Sequence, residues 1–109
     1  VWAEEYGRMY ARTTEMTVIA VRLGWFVRNK GEYDRLDPRW APSVFLSHDD
    51  AARYFICCIE APDPPDGFLI AFATSDAGDE ERYDLAAARA LLGYEPRDRY
   101  PHGLHFDID

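Results

Sequence analysis

The chain has 109 residues, of which 48% are hydrophobic and 15% aromatic, so it forms one domain or less and has a globular rather than a disordered composition. Its 20 acidic residues against 12 basic ones give a formal net charge of -8, which argues against binding to nucleic acid or to an anionic membrane surface. No apolar stretch reaches the roughly 18 residues that span a bilayer, and no basic-then-apolar leader opens the chain, so we expect a cytoplasmic protein.

The first predicted elements are a helix and a strand. Helical spacing over residues 1–13 predicts a helix, and because no N-cap residue precedes it, we expect its start to be truncated. One stripe of this helix is aromatic and apolar, and it comprises Trp2, Tyr6, Met9 and Tyr10. Residues 17–23 form a near-continuous β-branched run that ends at Gly24, which is typical of a parallel strand covered on both faces.

A long loop and a second helix follow. Residues 25–42 show no clean periodicity, which predicts an irregular loop of the kind that binds a ligand. Ser47 followed by Asp50 is a variant of the capping box and predicts a helix over residues 48–61. We expect this helix to bury one apolar face. The predicted buried residues are Ala51, Ala52, Phe55, Ile59 and one or both of the adjacent cysteines, Cys57 and Cys58, which we interpret as buried thiols.

The remaining elements are shorter. A proline-rich turn over residues 62–67 precedes a second buried strand over residues 68–73. A short helix is predicted over residues 84–92 with Gly93 as its C-terminal cap, and residues 94–109 are predicted to be loop. Two buried strands cannot form a stable open parallel sheet alone, so we expect their further partners to lie outside these 109 residues.

Four stretches, taken in order, resemble the C-terminal third of extended short-chain dehydrogenase/reductases, the NAD-dependent epimerase/dehydratase family. They are residues 5–11 (EYGRMYA), 21–24 (VRLG), 47–51 (SHDDA) and 92–96 (LGYEP). Within that family the resemblance is greatest to uronate dehydrogenases. It implies an α/β fold, a C-terminal fragment of a Rossmann-type parallel sheet with a substrate-binding portion. Residues 1–24 would end the Rossmann-type part, residues 25–100 would form the substrate-binding portion, and residues 101–109 a tail.

The resemblance also implies what these residues lack. The family holds NAD or NADP on a glycine-rich strand-turn-helix and uses a Tyr-x-x-x-Lys pair, and neither occurs in this sequence. By the family's register the lysine would fall immediately before Val1. We therefore expect NAD or NADP to be bound mainly by a missing N-terminal part, and the chain alone to be inactive. In the family the opening helix packs against its copy in a homodimer, although core packing within one subunit would suit the aromatic stripe equally.

Candidate substrate-binding residues lie in residues 28–39, which hold four basic and three acidic side chains and so suit a small anionic substrate. In uronate dehydrogenases an arginine between a tyrosine and a tryptophan binds the sugar carboxylate. Arg35 keeps that arrangement here, and Arg39 is a competing match. The alternative is that both are solvated arginines paired with neighbouring acids.

Two positions on either side of Gly24 also match the family. Trp25 replaces a small hydroxyl residue that touches substrate, and would narrow the pocket or stack on a sugar face, which makes another sugar acid or a sugar phosphate an option. Leu23 matches a position whose backbone lies near the nicotinamide. Both side chains could instead belong to the core.

Other polar residues receive structural interpretations. We expect His48 to sit exposed on the first helical turn, without a catalytic role, and the Asp49-Asp50 pair to complement the helix dipole. A metal site is not predicted, because the candidate ligands have no cysteine and no regular scaffold. Those candidate ligands are His102, His105, Asp107 and Asp109.

The sequence therefore predicts the substrate-side segment of an NAD(P)-dependent sugar oxidoreductase or epimerase, which acts on a sugar acid such as a uronate and is a homodimer when complete. No catalytic residue is assigned within the chain. The alternative is a non-enzymatic, small acidic α/β module that binds a ligand or a partner.

Overall fold

The computed structural model describes residues 2–106 and shows an α/β fold, as predicted. The helices and strands occur in the following chain order: α1 (Trp2–Thr13), β1 (Val18–Leu23), β2 (Trp25–Phe26), α2 (Lys30–Asp34), α3 (Ala41–Val44), β3 (Phe45–Leu46), α4 (His48–Glu60) and β4 (Phe68–Ala73). Short 3-10 turns at Pro65–Gly67 and Gly78–Glu80 and a π-helical segment at Ala88–Leu92 complete them.

The two predicted long strands are confirmed, and they are neighbours in one sheet. β1 pairs with β4 in parallel, from Val18 opposite Phe68 to Leu23 opposite Ala73. α1 covers one face so closely that a Cβ on its Gly7 would lie 2.9 Å from Val18 Cγ1. The expected cover on both faces fails at the end of β1, where Leu23 is 53% exposed.

A second, two-residue parallel sheet follows directly after Gly24. Trp25 of β2 pairs with Phe45 of β3, and Phe26 pairs with Leu46. The expectation of an irregular loop over residues 25–42 is therefore wrong in part, since β2, α2 and the start of α3 all lie there. These elements have two to five residues each, too few for a periodic hydrophobic pattern to develop.

Helix α4 begins where the capping pattern predicted, because the Ser47 hydroxyl accepts a hydrogen bond from the Asp50 amide at 2.9 Å. Its predicted buried face is largely wrong. Ala51 is buried, but Ala52 is exposed, and Phe55 and Ile59 are 45% and 83% exposed.

Another stripe of α4 faces the sheet instead. Asp50, Ala51 and Tyr54 are its buried residues, and Cys57 and Cys58 are free thiols that are only half-buried. The apolar side chains of Phe55, Ile56 and Ile59 thus lie on the side of α4 away from the core.

The C-terminal elements are more closely packed than their sequence predicted. The helix expected over residues 84–92 is observed over residues 86–92, of which Ala88–Leu92 are π-helical. Gly93 caps it in the left-handed conformation with φ 70°, as predicted. Residues 94–106, here called the C-terminal segment, contain no strand or helix. Tyr94 is nevertheless fully buried, and its hydroxyl donates to the Thr74 carbonyl at 2.7 Å.

Two apolar clusters form the core. The larger lies between β4 and α4, and it includes Leu69, Ala71, Tyr54 and Tyr94. The smaller lies beneath residues 25–42, and it consists of Val27, Leu36, Ala41 and Phe45 with partly buried side chains from the C-terminal segment around it.

The aromatic stripe of α1 belongs to neither cluster. Trp2 is 79% exposed, and Tyr6, Met9 and Tyr10 are 44% to 57% exposed. Within residues 2–106 the stripe therefore takes no part in core packing. Across residues 2–106, no helix combines the length and the apolar character needed to cross a bilayer.

Candidate functional site

A cleft of about 350 Å³ opens at the carboxyl end of β1. Ligands of open α/β sheets bind outside the carboxyl ends of the strands, and this volume falls within the usual range of small-molecule sites. Depressions of 390 and 490 Å³ lie elsewhere on the surface, but the first is beside the amino end of β4 and the second beside the end of α4. The cleft is lined by Gly24, Trp25, Phe26, Arg28, Glu32 and Arg35.

Gly24 makes the turn from β1 into the cleft possible. Its amide donates to the Ala73 carbonyl at 2.8 Å, and a Cβ there would collide with the Val44 carbonyl oxygen and lie 3.0 Å from Thr74 Cγ2. Only glycine fits so close to the backbone of Val44, and this close packing fixes the position at which Trp25 enters the cleft.

The structure brings two of the predicted substrate-binding residues, Trp25 and Arg35, to the same cleft. Arg35 ends α2 and is exposed. Among residues 2–106 its guanidinium makes no hydrogen bond or ion pair. A charged group of this kind can bind a carboxylate or a phosphate through two hydrogen bonds.

The competing match, Arg39, is placed differently. Its guanidinium is bound to the Asp37 carboxylate at 2.6 to 3.0 Å, and it does not line the cleft. Arg39 therefore fits the interpretation of a solvated arginine paired with a neighbouring acid.

A second arginine in the cleft is neutralised by its partner. Arg28 binds Glu32 at 2.6 and 2.8 Å through its side chain and at 2.9 Å through its amide. The hydrogen bond from the Arg28 side chain holds the pKa of Glu32 below its ordinary value, with Arg35 adding a smaller effect. Since Glu32 stays ionised, Arg28 and Glu32 cancel and Arg35 leaves one positive charge in the cleft.

The cleft also has an apolar side chain, that of Trp25, on its wall. Trp25 is 43% exposed and its ring lies 5.4 Å from that of Trp40, tilted by 52°. Leu23, the last residue of β1, is also exposed but does not line the cleft. Within residues 2–106 neither Leu23 nor Trp25 is a core residue.

Sequence reasoning missed three lining residues, Phe26, Arg28 and Glu32. The spacing of Arg28 and Glu32, four residues apart with opposite charges, was a usable signal for an ion pair at the start of α2. Phe26 gave no such signal, because the pairing of β2 with β3 is visible only in the folded chain.

The histidine of the SHDDA stretch is half-buried, not exposed. His48 Nε2 lies 2.6 Å from the Val27 carbonyl oxygen, and Nδ1 lies 2.9 Å from the His105 amide nitrogen. These two contacts join His48 to distant segments of the chain.

Asp50 also does more than complement the helix dipole. It is fully buried, accepts from the amides of Arg97 and Asp98 at 2.9 and 3.0 Å and pairs with Arg53 at 2.6 Å. It therefore fastens the C-terminal segment to α4.

The candidate metal ligands are not brought together in the described residues. His105 Nε2 pairs with Asp49 at 2.6 Å, while Asp107 and Asp109 lie outside the part of the chain that the structure describes. Residues 2–106 contain no group of three or more His, Cys, Asp or Glu side chains suited to a metal ion.

Comparison with known proteins gives two relatives, both from Haloferax volcanii. The chain is 35% identical over 97 residues to an NAD-dependent glucose-6-phosphate dehydrogenase, an alignment that covers 87% of this chain and 34% of the relative. It is similar to NAD-dependent dehydrogenases over most of its length. An L-arabinose 1-dehydrogenase (NAD(P)(+)) is 29% identical over 105 residues, which cover 90% of this chain and 40% of that protein. The chain thus spans between a third and two fifths of these relatives, and no family model or solved structure matches it.

Proposed function

We propose that this chain is the substrate-side segment of an NAD(P)-dependent sugar oxidoreductase of the extended short-chain dehydrogenase/reductase type. The observation that carries the proposal is the cleft at the carboxyl end of β1. It is lined by Trp25 and by Arg35, which has no ion-pair partner in residues 2–106, and the chain is similar to two NAD- or NAD(P)-dependent dehydrogenases. Oxidation and epimerisation both use such a site, and the similarity to two dehydrogenases favours oxidation.

The substrate that suits this cleft is an anionic sugar. Arg35 would hold its carboxylate or phosphate, and the indole of Trp25 would stack on the apolar face of the ring. A uronate is our first candidate, and a sugar phosphate is the second because one relative is a glucose-6-phosphate dehydrogenase. A neutral sugar would leave the charge of Arg35 unused.

The nicotinamide cofactor would meet this chain at Leu23, whose exposed apolar side chain at the strand end suits the edge of a flat ring. When bound, NAD or NADP accepts the hydride that leaves the sugar carbon. The chain's single lysine, Lys30, is paired with Asp34 at 3.1 Å, and so is not placed to assist proton removal. We propose that the glycine-rich loop and the Tyr-x-x-x-Lys pair are supplied by polypeptide on the N-terminal side of Val1.

We further propose that the complete, cytoplasmic enzyme is a homodimer that buries the exposed aromatic stripe of α1 against its copy. Trp2, Tyr6, Met9 and Tyr10 form one continuous apolar strip there. A Tyr6→Glu substitution in the full-length protein should shift it from dimer to monomer in sedimentation, whereas Arg12→Gln, a change on another face of α1, should not.

The first test is the coding sequence upstream of Val1, where an in-frame Tyr-x-x-x-Lys should end immediately before this chain. The full-length protein should then reduce NAD or NADP in the presence of a uronate or an aldose phosphate, and more slowly with the matching neutral sugar. Absence of that motif, or binding of a sugar acid without nucleotide turnover, would favour the non-enzymatic alternative.

A further inference from the structure

We propose that His48 is a positioning residue whose two ring nitrogens tie the end of β2 to the C-terminal segment and thereby fix Trp25 in the cleft. The kinetic part of this inference rests on the proposed function, whereas the structural part does not. His48 does not line the cleft itself, but its ring packs on Phe26, which does.

The two contacts of His48 define its protonation. The Val27 carbonyl oxygen can only accept, so Nε2, at 2.6 Å, carries the proton and donates it. The His105 amide can only donate, so Nδ1, at 2.9 Å, accepts and carries none. The geometry therefore selects the neutral Nε2–H form of the ring, with both nitrogens occupied.

The first contact acts on the wall of the cleft. β2 is held to β3 by only two residue pairs, and the fully buried Val27 follows it directly. The His48 ring also packs on that of Phe26, with 5.1 Å between centroids. His48 thus fastens both residues that follow Trp25, and a two-residue strand has few other restraints.

The second contact acts on the C-terminal segment. Besides accepting from the His105 amide, His48 packs edge-on against Phe106 at 5.5 Å. The His105 ring, 5.5 Å from His48, is itself paired with Asp49. These contacts hold residues 105 and 106 against the start of α4, beside the small apolar cluster under the cleft.

Two substitutions separate the contacts. His48→Gln places an amide N–H near the position of Nε2, so it keeps the donor to Val27. His48→Asn places an amide oxygen near the position of Nδ1, so it keeps the acceptor for His105 but is too short to reach Val27. A purely structural role would make the two variants alike.

In the full-length protein we expect His48→Asn to raise KM for the sugar about tenfold, the effect of one lost buried hydrogen bond, with kcat nearly unchanged. His48→Gln should stay within about threefold of the wild type by the same reasoning. An unchanged KM in His48→Asn, or equal increases in both variants, would overturn the assignment.

Nuclear magnetic resonance of the full-length wild type and the two variants, labelled with 15N-histidine and 15N-tryptophan, tests the inference without any turnover. The His48 ring should show the pattern of the Nε2–H form, and the Trp25 indole signal, assigned with Trp25→Phe, should shift in His48→Asn and stay in His48→Gln. An Nδ1–H ring, or an indole signal that ignores His48→Asn, contradicts the inference. Lack of NAD(P)-dependent turnover in the wild type would instead contradict the proposed function, and the ring pattern would still decide the role of His48.

Discussion

Arg35 and Arg39 lie four residues apart in the sequence, but their side chains make different contacts. Arg39 is held by Asp37, whereas Arg35 has no partner in residues 2–106 and lines the cleft. We expect Arg35→Ala, made in the full-length protein, to cost roughly 2 to 4 kcal/mol of substrate binding through loss of a charge-assisted pair. The measurement is KM for the sugar acid or phosphate, which should rise by about 30-fold or more.

Arg39→Ala is the matched control, because it removes the same charge from the same segment. Since Arg39 is exposed and already paired, its loss should change KM by less than about threefold. Equal effects of the two substitutions would show that the loop acts only through its net charge.

Spacing alone could not choose between these two arginines. Both lie between Tyr33 and Trp40 in the sequence, and the sequence could not show that the Asp37 side chain would bind Arg39. Short-range side-chain geometry in an irregular loop has no periodic signature, so this part of the site required the folded chain.

Asp49 and Asp50 present a second residue-scale contrast. Asp50 is fully buried and accepts from two amides and from Arg53, while Asp49 is partly exposed and pairs with His105. Asp50→Ala should lower the free energy of unfolding by roughly 2 to 5 kcal/mol, because it leaves the Arg97 and Asp98 amides without their acceptor and removes one of the two carboxylates that Arg53 contacts.

Denaturant unfolding of the full-length protein measures this loss, with Asp49→Ala as the control. An exposed pair contributes at most about 1 kcal/mol. Similar losses in both variants would refute the assignment of Asp50 as the fastening point of the C-terminal segment.

At the scale of elements, the connection between β1 and β2 depends on Gly24. Gly24→Ala would push a methyl group against the Val44 carbonyl oxygen. The expected result is a loss of roughly 1 to 3 kcal/mol in the free energy of unfolding, since overpacking against backbone cannot be relieved by a rotamer change. Thermal or denaturant unfolding would measure it.

Gly31→Ala offers the comparison for that experiment. Gly31 lies in α2, and its nearest neighbour to a new Cβ would be Asn29 Oδ1 at 3.2 Å. Alanine has a higher helix propensity than glycine, and this gain offsets the slight crowding at Asn29. We therefore expect the free energy of unfolding to change by less than about 1 kcal/mol. If Gly24→Ala were as mild as Gly31→Ala, the tight passage would not be a constraint on the fold.

Elements with a strong local pattern could be predicted and those without one could not. The β-branched and aromatic runs at residues 17–23 and 68–73 identified β1 and β4 within one residue. The α4 cap was equally visible in Ser47 and Asp50. The face of α4 was misjudged because Phe55 and Ile59 were counted as core, although they point away from β4.

At the scale of the whole molecule, several surface carboxyl groups are paired with arginines. The pKa values of four carboxyl groups are held below their ordinary values, chiefly by hydrogen bonds from Arg22, Arg28 and Arg39 and, for Asp76, from the Gly78 amide. The four groups are Glu4, Glu32, Asp37 and Asp76.

A carboxyl group whose pKa is lower in the folded state than in the unfolded state stabilises the fold at a pH above its unfolded-state pKa. This stabilisation is lost as the pH falls through its folded-state pKa. The free energy of unfolding should therefore be flat near neutrality and decline below about pH 4.5, the ordinary value for glutamate. Denaturant midpoints taken between pH 7 and pH 3 would test this, and 1 M salt should flatten the decline by screening exposed pairs. Stability that rose on acidification would contradict the sign.

The parallel pairing of β1 with β4 has a consequence for how such a site can change. The chain leaves the sheet at Leu23 and returns to it at Phe68, the start of the strand next to β1. Residues 24–67 therefore form one connection between two neighbouring strands. Residues 24–67 include all the side chains that line the cleft. An insertion, a deletion or an exchange within residues 24–67 could change the lining of the cleft while the register of β1 and β4 stayed the same.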